Sequence, residues 1–101
     1  MLDFYLIKDN TAKSNHAMSD ADYLGGMEYT DFEYLQKNHI VEPQLDYYKD
    51  FRWTSEQVSS KLKMLSPFLK RNKNPNLFIA AFAGILKKAE ENKSGVIAYC
   101  D

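Results

Sequence analysis

Leu77-Phe78-Ile79-Ala80-Ala81-Phe82-Ala83-Gly84-Ile85-Leu86 runs for ten residues without a charge. A run this apolar has to leave water, yet it is about half the roughly 20 residues a helix needs to cross a bilayer. It reads as the core helix of a folded domain, with no role in a membrane. Asn74 can cap it, Pro75 suits its first turn, and Lys87 and Lys88 suit its negative C-terminal end, so a helix is expected over 75–91. Apolar on every side, it should be buried on every side. The cover would come from the same chain or, through the small residues Ala80, Ala81, Ala83 and Gly84, from a second copy, which makes a homodimer through helix 75–91 one expected partnership.

The 101 residues can supply that cover within a single domain, 1–101. A hydrophobic fraction of 45% and an aromatic fraction of 14% place the chain with folded proteins. Phe4, Tyr5, Leu6 and Ile7 form an unbroken run within an expected interior strand over 2–8, and Val96 to Cys100 reads as a short strand beside it. Cys100 is the single cysteine, which excludes an internal disulfide and a cysteine-ligated zinc site. The N-terminus lacks the basic region and cleavage site of a signal peptide, so a cytoplasmic location is expected.

Asp46-Tyr47-Tyr48-Lys49-Asp50-Phe51-Arg52-Trp53 concentrates aromatic area, hydrogen-bonding groups and charge, and holds the only Trp. If extended, it places Tyr47, Lys49, Phe51 and Trp53 on one side and Tyr48, Asp50 and Arg52 on the other. Phe51 and Trp53 are expected as structural anchors, with Asp46 or Asp50 able to hold Arg52 bidentately. Thr54 to Gln57 has the form of a capping box, so Thr54 should start a helix over 55–65 with Val58, Leu62 and Leu65 inward and Lys61 and Lys63 elsewhere. Ser66-Pro67 should end it and open a short helix over 67–71, with a kink in one continuous helix as the alternative. Thr30 to Glu33 has the same capping form, giving a helix over 30–37 with Phe32 and Leu35 or Gln36 on its buried side, Tyr34 half-exposed and Asn38 as a left-handed stop. Pro43 limits Ile40 to Leu45 to an edge strand or an extended connection.

Residues 1–50 carry ten Asp/Glu and four Lys/Arg, and residues 51–101 carry four and nine, a balance of minus six against plus five. An asymmetry of this size can steer a charged partner. The candidate partner-facing residues are Tyr48, Asp50, Arg52, Tyr34, Asp20 and Asp22, because Tyr and Arg give large contact area with hydrogen bonds. Asp20, Asp22, Gly25 and Asp31 fall at calcium-loop positions 1, 3, 6 and 12, but Leu24 stands at position 5 and Asp31 replaces the bidentate Glu, so an acidic loop over 9–22 ending in a Gly25-Gly26 turn is preferred. His16 and His39 have no ligand or triad spacing. No metal, cofactor or catalytic residue is assigned. The basic residues Lys61, Lys63, Lys70, Arg71, Lys73, Lys87 and Lys88 lack interleaved aromatics, and with a net charge of −1 nucleic acid is not expected.

The succession Gly25-Gly26, then Phe32-Glu33-Tyr34-Leu35-Gln36-Lys37, then Asp46 to Trp53 resembles a pattern in small bacterial single-domain proteins without an assigned activity. The resemblance spans about the middle third of the chain. It implies a bacterial, cytoplasmic single-domain protein and no catalytic residue.

The expected fold is α+β, a small sheet of about three strands from 2–8, part of 47–53 and 96–100, packed against three to four helices. The expected function is a non-enzymatic interaction domain, of inhibitor or immunity type, that meets a basic partner through an acidic, Tyr-containing face. The alternative is a ligand-binding or enzymatic site between loop 9–22 and stretch 46–53, using Asp20, Asp22, His39, Asp50 and Arg52.

Overall fold

The unbroken apolar run Phe4 to Ile7 lies in a strand that pairs on both edges, as expected of an interior strand. This strand, β1 (Leu2–Ile7), lies between β2 (Tyr23–Met27) and β4 (Gly95–Cys100). A short β3 (Phe51–Trp53) pairs with the far side of β4, giving the order β2-β1-β4-β3 with every pairing antiparallel. The computed structural model describes residues 1–12, 22–71 and 77–100. Among the described residues three helices accompany the sheet: α1 (Tyr29–Lys37), α2 (Ser55–Arg71) and α3 (Leu77–Glu91). The α+β class holds, with one strand more than the sequence indicates.

That extra strand is β2, where loop composition and a Gly25-Gly26 turn are expected. Its register pairs Met27, Gly26 and Gly25 with Leu2, Asp3 and Phe4, then moves to Tyr23 opposite Tyr5, so Leu24 is bulged out. Both glycines lie in the strand. Gly25 has φ +150°, and a Cβ there would stand 3.0 Å from Ile85 Cδ1 of α3. Close approach of the helix, and not a turn, is what the glycine serves.

Along β1, Leu2, Phe4 and Leu6 face the main core, while Asp3, Tyr5 and Ile7 lie on the opposite face. Trp53 is the hub of that core, with ring centroids at 6.0 Å from Phe4, 5.1 Å from Phe51 and 6.0 Å from Phe82. Phe82 joins Ile79, Leu86 and Ala89 on the buried side of α3. Truncating a buried ring such as Phe82 typically costs about 3–5 kcal/mol, so this cluster is a large share of the domain's stability.

Several local expectations change. Helix α1 starts at Tyr29 behind Glu28, without a side-chain cap, and Thr30 is already helical, so the Thr30–Glu33 capping box does not form. The left-handed residue that ends α1 is His39 (φ +60°) and not Asn38. The N–H groups of His39 and Ile40 turn back to the carbonyls of Gln36 and Leu35 at 3.1 and 2.9 Å, which closes the helix and buries Ile40 beside Leu35. The same pattern closes α3 through Lys93 (φ +52°).

Helix α2 continues through Pro67 to Arg71 as one element, correcting the expected break after Leu65. Pro67 gives up one backbone hydrogen bond, but buried Leu65 before it and half-buried Phe68 and Leu69 after it bind both halves to the core. The Thr54 box does form. Gln57 Oε1 accepts the Thr54 N–H at 2.8 Å and Thr54 Oγ1 accepts the Gln57 N–H at 3.2 Å.

Helix α3 is not buried all round, because Ala80 and Ala81 are exposed and a Cβ added at Gly84 would meet nothing within 4 Å. Alanine carries little apolar area, so one side can face water at small cost. Asn74 and Pro75 lie outside the described residues. Residues 40–45 form a turn and irregular backbone, with no strand.

Candidate interaction surface

The extended run expected over Tyr47 to Trp53 is confined to β3, because Asp46 folds the chain before it. Asp46 Oδ1 accepts the Tyr48 N–H at 2.9 Å, and the Lys49 N–H reaches the Asp46 carbonyl at 3.1 Å. This turn sends Tyr47 inward and Tyr48 outward. The buried Tyr47 hydroxyl donates to the Met27 carbonyl at 2.9 Å and accepts the Leu2 N–H at 3.2 Å, so it clamps the ends of β2 and β1. Burial pushes the Tyr47 phenol up from its ordinary range.

Tyr48, 68% exposed, lies near-parallel to Tyr29, 45% exposed, at 22° and 5.9 Å between centroids. Both stand edge-on to Tyr47, at 84° and 5.4 Å for Tyr29 and 90° and 5.1 Å for Tyr48. At these separations the parallel pair is offset, leaving open aromatic surface on a rigid base. Carboxylates surround it. The Tyr29 hydroxyl is raised chiefly by its hydrogen bond to Glu33, with the charges of Glu33 and Asp46 adding to the effect. Glu28 acts on Tyr47 in the same sense. Glu33 also meets Lys37 at 3.4 Å, an exposed i,i+4 pair of small worth.

Tyr29 lies outside the helix expected over 30–37 and was not legible as functional, since nothing in the sequence says that it stacks on a residue 19 positions away. Tyr34 is exposed on α1 and sets its ring edge-on against Phe78 at 5.3 Å, outside the Tyr29–Tyr48 pair.

Arg52 and Asp50 belong to a second surface, the sheet face away from the main core. The Arg52 guanidinium crosses β4 and donates to the carbonyls of Thr11 at 2.7 Å and Lys8 at 3.1 Å, fixing the segment that follows β1. Tyr5 bridges Tyr23 and Tyr99 at 5.3 and 5.9 Å on this face. Tyr99 is raised by burial first and by the Asp50 charge second, with Arg52 opposing. Phe51 is half-buried and Trp53 buried.

Of the alternative site's described residues, His39 stands apart from the others. Asp20 lies outside the described residues. Asp22 lines a hollow of about 250 Å³ with Lys8 and Asn92, whereas His39 lines a different hollow, of about 300 Å³, with Glu42, Gln57, Ser60 and Lys61. Lys61, expected away from the core, is instead 5% exposed and ion-paired with Glu42, its Nζ 4.6 Å from the Trp53 ring centroid. Its long stem follows the apolar side of α2 while the ammonium finds a carboxylate and an indole face. Gln36 makes this geometry by donating to the carbonyls of Glu42 at 3.0 Å and Leu45 at 2.8 Å. Among the described residues no three His, Cys, Asp or Glu side chains come together as a metal site, and no helix is long and apolar enough to cross a membrane. Compared with known proteins, the chain matches no family model, no curated protein and no solved structure.

Proposed function

We propose that this chain is a non-enzymatic interaction domain, of the inhibitor or immunity type, that binds a basic protein partner through the face formed by Tyr29, Tyr48, Glu33 and Asp46. The observation that carries the reading is the stacked, exposed Tyr29–Tyr48 pair held among carboxylates on the buried Tyr47 clamp. Two large rings in water are a cost unless a partner covers them, and surrounding negative charge selects a positive partner and speeds its encounter. The sequence asymmetry agrees, since Glu28, Glu33 and Asp46 all come from the acidic first half. A bacterial, cytoplasmic setting is part of the same proposal. So is self-association across the side of α3 that carries exposed Ala80 and Ala81 and half-buried Gly84, as a separate contact.

The test is affinity capture from the native host with the wild type and with Tyr48→Ala/Asp46→Asn, followed by calorimetry on the purified partner at two salt concentrations. A basic protein that is held by the wild type, lost from the variant and weakened by salt is the expected result. Capture of no salt-sensitive partner would sink the reading.

A further inference from the structure

Three properties of the Tyr29–Tyr48 face narrow the chemistry of what it can receive. First, the open surface is aromatic and flat, since Tyr29 takes one face of Tyr48 at 22° while 68% of Tyr48 remains exposed. Second, its rim is anionic. Asp46 uses Oδ1 on the Tyr48 N–H, and no hydrogen bond occupies its Oδ2 among the described residues, while Glu33 is shared only with the Tyr29 hydroxyl and the exposed Lys37 ammonium. Third, it is preorganised. Tyr47 is pinned by two buried backbone contacts, and Tyr48 is held at its own N–H.

An apolar partner would strip water from these carboxylates without replacing their hydrogen bonds, which is costly. An ammonium satisfies the charge but is strongly hydrated and compact. A guanidinium is planar, sheds water more readily, stacks on an aromatic face and directs a fork of N–H donors sideways to carboxylates. Resting on the reading of this face as a partner-binding surface, we propose that Tyr48 receives an arginine side chain of the partner. The guanidinium stacks on the ring, and its N–H groups reach Asp46 and Glu33.

Two peptides identical except for three arginines in one and three lysines in the other, titrated into 15N-labelled and aromatic-13C-labelled protein, test it. The arginine peptide should bind about threefold more tightly and move the Tyr48 ring signals most. Tyr48→Leu should bring the arginine peptide to the level of the lysine peptide with the amide spectrum of the core unchanged. Tyr48→Trp should restore the preference, because indole is the best face for a cation. Glu33→Gln/Asp46→Asn should weaken both peptides.

Equal binding of the two peptides, or an arginine preference that survives Tyr48→Leu, overturns the stacking. If the carboxylate variant still weakens both peptides in that case, the acidic-face function stands without it. Binding of neither peptide also overturns the proposal, and capture from the host then decides the broader reading on its own.

Discussion

The Trp53 indole N–H donates to Glu42 Oε2 at 2.8 Å, from β3 into an irregular loop. The other oxygen of that carboxylate holds the Lys61 ammonium, so one half-exposed acid satisfies two buried groups on different elements. Glu42→Ala leaves Lys61 buried without a partner. Complete burial of such a charge would cost about 3–5 kcal/mol, and with Glu42 at 30% side-chain exposure a loss of about 2 kcal/mol is expected. Glu42→Gln/Lys61→Met should recover most of it. Urea unfolding followed by Trp53 fluorescence gives both values, and a double variant as unstable as Glu42→Ala would show that the pair is not what holds the loop.

Substitutions at the helix ends should stabilise. His39 and Lys93 hold left-handed backbone with side chains that disfavour it, at φ +60° and +52°. Replacement of either by Gly should add about 0.5–1 kcal/mol, and His39→Val should lose at least as much, as read by thermal unfolding.

Glycines should respond in opposite directions. Gly84 lies inside α3 with open space around a prospective Cβ, so Gly84→Ala should add about 1 kcal/mol through helix propensity alone. At Gly95 a Cβ would collide with the Trp53 carbonyl oxygen, so Gly95→Ala should part β3 from β4 and cost about 3 kcal/mol or more. Paired urea titrations separate the two cases. A gain at Gly84 that instead depended on protein concentration would report self-association through α3.

Acid stability should carry the signature of Asp9. Its carboxylate accepts the Ser55 hydroxyl and the Ser55 N–H at the start of α2, and these bonds hold it below its ordinary value of 3.8. A depressed carboxyl stabilises the fold at pH above 3.8, and the contribution is lost as pH falls through the depressed value. Asp9→Asn should flatten that part of the pH profile of the urea midpoint while changing little near pH 7 beyond a constant offset.

The elements that read well from sequence are those in which one residue type decides the matter locally. The unbroken apolar run of β1, the uncharged run of α3 and the reciprocal Thr54–Gln57 cap each carry their own signal. What stayed hidden depends on distant partners. β2 contains two glycines and looks like a turn until Ile85 requires the space above Gly25. Lys61 looks like a solvated lysine until Gln36 bends residues 42–45 and delivers Glu42 to it. Of the candidate surface, Tyr48 was legible as an exposed ring and its acidic surroundings as a charge imbalance. Its pairing with Tyr29 was not, because the Asp46 turn that creates it takes Tyr48 away from Asp50 and Arg52, with which an extended run would have grouped it.

The bulge at Leu24 bears on how this sheet behaves in a crowded solution. Among the described residues, β2 is the outermost strand on one side, and the three residues of β3 close the other. A flat outer strand invites another chain to continue the ladder, whereas an extra residue twists it out of register and a three-residue strand offers too little length to extend. Both borders of the sheet are thereby poor templates for fibril growth, which leaves the domain free to display aromatic rings elsewhere without polymerising through its strands.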